Sequence, residues 1–240
     1  MNAKMKVLSL ALVGLCGYAG SALAVCPAGP AIAQGGAWSN VTQFQGTATI
    51  GTPGLVTTEC DLRSVINVGA GGTAAAAVED DSPVAEQRYR AQFTVKLDGL
   101  AAPTQNTLST VMNSISDTTG TGITLGIFGQ GGQWFLSYIV PNASDVSGIY
   151  SGATPLAAGE NRVEFDLVVN ASGSLKVWIN NNVEATPTIT SPVINNASVA
   201  GIDTTYLGLG APTPQFVAAY AGMAAEFDQF DSRRTTFIGF

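Results

Sequence analysis

A strict apolar–polar alternation constrains this 240-residue chain more than any other feature. In residues 88–97, Tyr89, Ala91, Phe93, Val95 and Leu97 alternate with Arg88, Arg90, Gln92, Thr94 and Lys96. Successive side chains of a strand point to opposite faces. The pattern therefore predicts an antiparallel strand with one dry face and one wet face. Asp98-Gly99 follows as a turn signal. The alternation returns where Val163, Phe165 and Leu167 interleave with Arg162, Glu164 and Asp166. It returns again where Leu175, Val177 and Ile179 interleave with Lys176, Trp178 and Asn180. Asn170-Ala171-Ser172-Gly173 lies between these two runs, which predicts a hairpin.

Residues 123–128 and 133–140 flank Gly129-Gln130-Gly131-Gly132 and are apolar on both faces, so they read as more deeply buried strands. A last strand is expected over residues 223–230. Two segments are harder to read. Leu108, Val111, Met112 and Ile115 have helical spacing among Thr, Ser and Asn, so either a short helix or an irregular strand fits. Residues 68–78 are Gly, Ala, Thr and Val, and read as a connection between the N-terminal part and the main sheet. The Asn-Ala-Ser triplets at Asn142, Asn170 and Asn196 are turn signals. Many short strands with almost no helix predict an all-β, two-sheet antiparallel sandwich.

The first 24 residues carry Lys4 and Lys6, an apolar run from Val7 to Val13, and a small-x-small end at Ala22-Leu23-Ala24. This is the pattern of a secretory signal peptide, too short in its apolar part to span a bilayer. The expected mature domain is residues 25–240, secreted or periplasmic. Cys16 falls within the leader, which leaves Cys26 and Cys60 to pair in an oxidising space and tether residues 25–80. The formal net charge is −7, and loss of the leader lysines makes it more negative. An acidic chain without a basic stripe argues against nucleic acid and anionic membranes as partners. The absence of His excludes Ser-His-Asp and Cys-His mechanisms and His-ligated zinc. No run after Ala24 is long enough for a membrane helix. An outer-membrane barrel, suggested by the leader and Phe240, fits too few segments.

The run from Asn161 to Val183 resembles the central hairpin of laminin-G-like modules: a strand, an Asn-Ala-Ser-Gly turn, then Leu-Lys-Val-Trp-Ile-Asn-Asn-Asn-Val. Tyr206-Leu207-Gly208-Leu209-Gly210 and the stretch from Ala221 to Phe230 are similar to the closing strands of those modules. The resemblance covers roughly residues 85–235. It departs at Asn181-Asn182, where Gly is usual. It implies a concanavalin A-like jelly roll and, by analogy of fold, non-catalytic binding of glycans or glycosylated surfaces.

Three constellations could carry chemistry. Glu226, Asp228 and Asp231 resemble the catalytic strand of laminarinase-type glucanases, with Asp231 where that family has Glu. A one-residue bulge near Gln229 would place all three on one face. They support an alternative reading, a glycoside hydrolase using Glu226 and Asp231, since a retaining mechanism needs carboxyls about 5 Å apart. Glu79, Asp80 and Asp81 form an acidic cluster whose hard oxygens suit Ca²⁺, the one cofactor weighed. Trp134, Trp178 and Asn180 are candidate ligand contacts: an indole stacks on a sugar ring while an amide bonds its hydroxyls. Trp38 is expected to anchor the N-terminal segment. Arg233 and Arg234 are expected to pair with Asp228 or Asp231. A structural or adhesive surface protein without a small ligand is the third reading.

Overall fold

The computed structural model describes residues 38–51, 54–55, 60–103, 106–233 and 235–239. The expected leader and Cys26 lie outside these residues. So does one end of the expected Cys26–Cys60 bridge.

Two antiparallel sheets of seven strands stack face to face. The first runs β1 (Asn40–Phe44), β4 (Ala75–Asp80), β13 (Thr204–Gly210), β6 (Thr107–Ile115), β7 (Gly122–Gln130), β8 (Gln133–Pro141) and β9 (Ile149–Pro155). The second runs β12 (Ile189–Thr190), β11 (Ser174–Ile179), β10 (Glu160–Val168), β5 (Arg88–Lys96), β14 (Ala224–Arg233), β3 (Asp61–Ile66) and β2 (Gly46–Gly51). The expected all-β jelly-roll sandwich is the observed fold. The apolar sets of the alternating strands form the core. Tyr89, Phe93, Phe165, Val177 and Phe227 of the second sheet face Ile123, Leu125, Ile127, Leu136 and Leu207 of the first, all buried.

The β10–β11 and β7–β8 hairpins lie where the turn signals put them. Residues 108–115 are strand, not helix. A bulge between Thr110 and Met112 in the pairing with β7 leaves both Val111 and Met112 buried, and this phase slip produces the helix-like spacing. Residues 75–78 are not a connection but part of β4, paired on both sides by β1 and β13. Their small side chains let the sheets approach closely. Ser64 of the second sheet donates to the Ala76 carbonyl at 2.5 Å and accepts from the Leu209 amide at 2.9 Å, both in the first. A short helix, α1 (Pro214–Tyr220), lies between β13 and β14. The Thr213 side chain caps the Phe216 amide and Pro214 sits at the first helical position, a start signal the sequence does carry.

Candidate functional site

The period-two pattern places the polar residues of β5, β10, β11 and β14 together on the outer face of the second sheet. Register arranges them in cross-strand rows. Arg63, Glu226, Lys96 and Glu160 form the first. Asp228, Thr94 and Arg162 form the next. Asp231, Gln92, Glu164 and Trp178 form the third. Arg233, Arg90, Asp166 and Lys176 form the fourth, beside Arg88. Every described Lys and Arg of this acidic chain therefore lies on this one face.

The middle of the face is not wet, contrary to the alternation. Arg90, Gln92, Thr94, Glu164, Asp166, Trp178 and Asp228 are all buried. Residues 235–239 cover it. The Phe237 ring packs 5.3 Å from Trp178. The Ile238 and Gly239 amides donate to the two oxygens of Glu164 at 3.0 and 3.1 Å. Arg162 Nη2 donates to the Gly239 carbonyl at 2.7 Å. Trp178 is thus on the face that its neighbours Lys176 and Asn180 imply, but it is 1% exposed and not the open indole the sequence suggested.

The buried charges Arg90 and Asp166 are paired. Arg88 holds Asp166 through two bonds, Nε to Oδ1 at 2.9 Å and Nη2 to Oδ2 at 2.8 Å. Arg90 Nη2 reaches Asp166 and Glu184, each at 2.9 Å. Burial pushes the Asp166 carboxyl up, but the bonds and charges of Arg88 and Arg90 outweigh it and hold the group below the ordinary carboxylate value. Arg90 is 2% exposed. Its Cζ lies 5.6 Å from the Trp178 ring and 5.8 Å from that of Phe237. Its Nε and Nη1 are buried with no hydrogen-bond partner among the described residues.

The one-residue bulge that would bring the three acids onto one face is present. Asp228 pairs with Thr94 and Asp231 with Gln92, so one extra residue lies between them, and Gln229 has φ +53°. Glu226, Asp228 and Asp231 therefore share the outer face. Glu226 meets Lys96 at 3.5 Å, Asp231 meets Arg233 at 2.9 Å, and Asp228 accepts from the Gln229 amide at 2.6 Å. Their partners Lys96 and Gln92 are four residues apart on β5, so the rows of Glu226 and Asp231 are roughly 13 Å apart. Asp61 joins the acidic end of the face. Burial, then the charges of Glu226 and Asp228, push its carboxyl up. Trp38 packs on Phe230 beside the bulge, with ring centroids 4.3 Å apart. Arg234 lies outside the described residues.

The other candidates lie elsewhere. Trp134 belongs to the first sheet, packs 5.3 Å from Tyr220, and walls a cavity of about 490 Å³ with Leu97, Asp98 and Gln133. It is not brought to Trp178. Asn180, at φ +52°, locks the hairpin. Its Oδ1 accepts from the Arg162 amide at 2.8 Å and its Nδ2 donates to Asn161 at 3.0 Å. Glu79, Asp80 and Asp81 do not converge. Glu79 accepts from Tyr206 and Thr42, Asp80 from the Ser82 amide, and Asp81 from Ser39. Among the described residues, no three acidic or Cys side chains gather as an ion would require. Sequence reasoning passed over Arg90, Gln92, Arg162 and Glu164 as a solvated face and did not single out Phe237. The signal available was the charge alternation of β5 set against that of β10.

No protein-family model matches the sequence, and no curated protein matches it significantly. Solved structures share the fold. An endo-β-1,4-glucuronan lyase from the fungus Trichoderma reesei superposes with a TM-score of 0.58 at 14% identity, over 82% of this chain and 91% of that one. A marine alginate lyase from Aplysia kurodai gives 0.56 at 10% identity, over 79% and 87%. A botulinum neurotoxin type C structure, whose cell entry depends on two ganglioside molecules, gives 0.52 at 13% identity, over 83% of this chain and 45% of that one. At these identities the likeness is one of fold. Among the described residues no helix is long and apolar enough to cross a membrane.

Proposed function

We propose that this protein binds glycans or glycosylated surfaces without cleaving them, through the outer face of its second sheet. The observation that carries the reading is the row of Asp231, Gln92, Glu164 and Trp178, flanked by Arg162 and Arg90. Sugar recognition needs a flat apolar ring beside paired donors and acceptors, and this face holds an indole, an amide and carboxylates in one row with guanidiniums in the rows on either side, beneath residues 235–239. That two proteins sharing the fold act on polysaccharides and a third interacts with gangliosides adds support by analogy. The leader pattern supports action outside the cytosol, with Cys26 and Cys60 paired.

Hydrolysis is the second reading, favoured by the bulge that aligns Glu226, Asp228 and Asp231. The backbone rows of Glu226 and Asp231, about 13 Å apart, are more widely spaced than the 5–5.5 Å and roughly 6.5–9.5 Å at which retaining and inverting enzymes hold their carboxyl groups. Binding is therefore the better fit. The test is a glycan and polysaccharide array probed with residues 25–240, in Ca²⁺ and in EDTA. Saturable binding to one glycan class, weakened at least about tenfold by Gln92→Ala or Trp178→Phe, supports the reading. Loss in EDTA brings in Ca²⁺ and the region of Glu79, Asp80 and Asp81. Products released by the wild type but not by Glu226→Gln transfer the proposal to hydrolysis. Silence in both conditions overturns it.

A further inference from the structure

Residues 235–239 touch this face through four distinct chemistries. An aromatic ring lies against Trp178. Two consecutive amide donors meet the two oxygens of Glu164. One carbonyl acceptor meets Arg162. Against Arg90 the segment offers only the Phe237 ring, and Nε and Nη1 stay unpartnered although buried. An unmet buried donor is destabilising, the more so when it is charged. A segment that closes the face while leaving two guanidinium donors unmet is an imperfect occupant.

We infer that residues 235–239 form a displaceable strap over the glycan subsite, and that the subsite takes a pyranose with two adjacent free hydroxyls. The inference rests on the glycan reading of this face. Two adjacent equatorial hydroxyls present two donors side by side, as the Ile238 and Gly239 amides do to Glu164. The C–H face of the ring replaces the Phe237 ring on Trp178. A ring or hydroxyl oxygen replaces the Gly239 carbonyl on Arg162. Any further acceptor, such as a carboxylate or sulfate, finds the two open donors of Arg90 that the strap leaves unused. Strap and sugar compete for the same groups, so only the fraction of molecules with the strap released is competent. So few contacts over five residues make a strap that a ligand can displace, because local openings cost far less than global unfolding.

The test uses the full chain and two probes, a glucuronan tetrasaccharide and a neutral β-1,4-glucose tetrasaccharide, with their 2,3-di-O-methyl derivatives as controls. Phe237→Ala is expected to bind one of the free-hydroxyl probes about tenfold more tightly than the wild type, and the methylated form is expected to lose that gain. Amide exchange of Ile238 and Gly239 in the wild type gives a second measurement that needs no variant to fold. Saturating probe should speed their exchange by at least about tenfold as they leave Glu164. Equal affinities of wild type and Phe237→Ala, with unchanged exchange at Ile238 and Gly239, overturn the strap while glycan binding stands. Equal affinity for the methylated probes overturns the adjacent-hydroxyl requirement. No binding of any probe by either protein, with no glycan bound on the array, overturns the glycan reading and the strap with it.

Discussion

Arg90 and Asp166 show how a polar residue survives in the middle of a sheet face. Each is almost wholly buried, and each is tolerated because the other and Arg88 are there. Removing one partner strands the other charge, so Asp166→Asn should cost about 3–5 kcal/mol in a urea titration at pH 7. The sign of the pH dependence follows from the lowered Asp166 value. Its stabilisation is complete above the unfolded value near 3.8 and is lost as pH falls through the folded value, so wild type and variant should converge in acid. Asp61 works in the opposite direction. Its raised value means that stability falls as pH rises through it, because a partly buried group then becomes charged and faces the charges of Glu226 and Asp228. Asp61→Asn should raise the melting temperature at pH 7 and leave it unchanged at pH 3, where both folded and unfolded chains hold the proton.

The bulge in β14 sets which side chains reach the outer face. Gln229 stands at φ +53° and accepts a hydrogen bond from Thr94 at 2.9 Å. Asn tolerates that backbone and a β-branched residue does not, so Gln229→Val should unfold about 1–2 kcal/mol more easily than Gln229→Asn. The bulge was legible only as a condition: Glu226, Asp228 and Asp231 share one face only with an extra residue between them. Strands β5, β10 and β11 were legible through their unbroken alternation. Strand β4 was not, because its alanines signal neither period nor face, and only the crossing bonds of Ser64 explain their size. Strand β6 was ambiguous because its own bulge imitates a helical repeat. The cover over Trp178 was invisible for a different reason. Alternation says which residues share a face, and nothing local says that residues some sixty positions later will lie on it.

The whole molecule depends on more than the sandwich core if Cys26 and Cys60 pair. A loop of about 35 residues closed by that bridge is worth about 4 kcal/mol on the chain-entropy model. Peptide mapping of the unreduced protein should recover one cross-linked pair, and Cys26→Ser with Cys60→Ser should lower the urea midpoint. The placement of the cations has a consequence of another kind. Beyond the second sheet's outer face, the described surface carries acids such as Glu86, Asp98, Asp117, Asp145 and Asp203 and no Lys or Arg. On the second sheet's outer face acids such as Glu160, Glu164, Asp166, Glu226, Asp228 and Asp231 nearly balance the cations, while the rest of the described surface is acidic, so the molecule carries its charge unevenly and has a permanent dipole. Near an anionic wall such as an acidic polysaccharide gel, that dipole turns the molecule before any contact is made. It leads with the second sheet, trails the acidic side, and loses this orientation once salt shortens the field to about 10 Å.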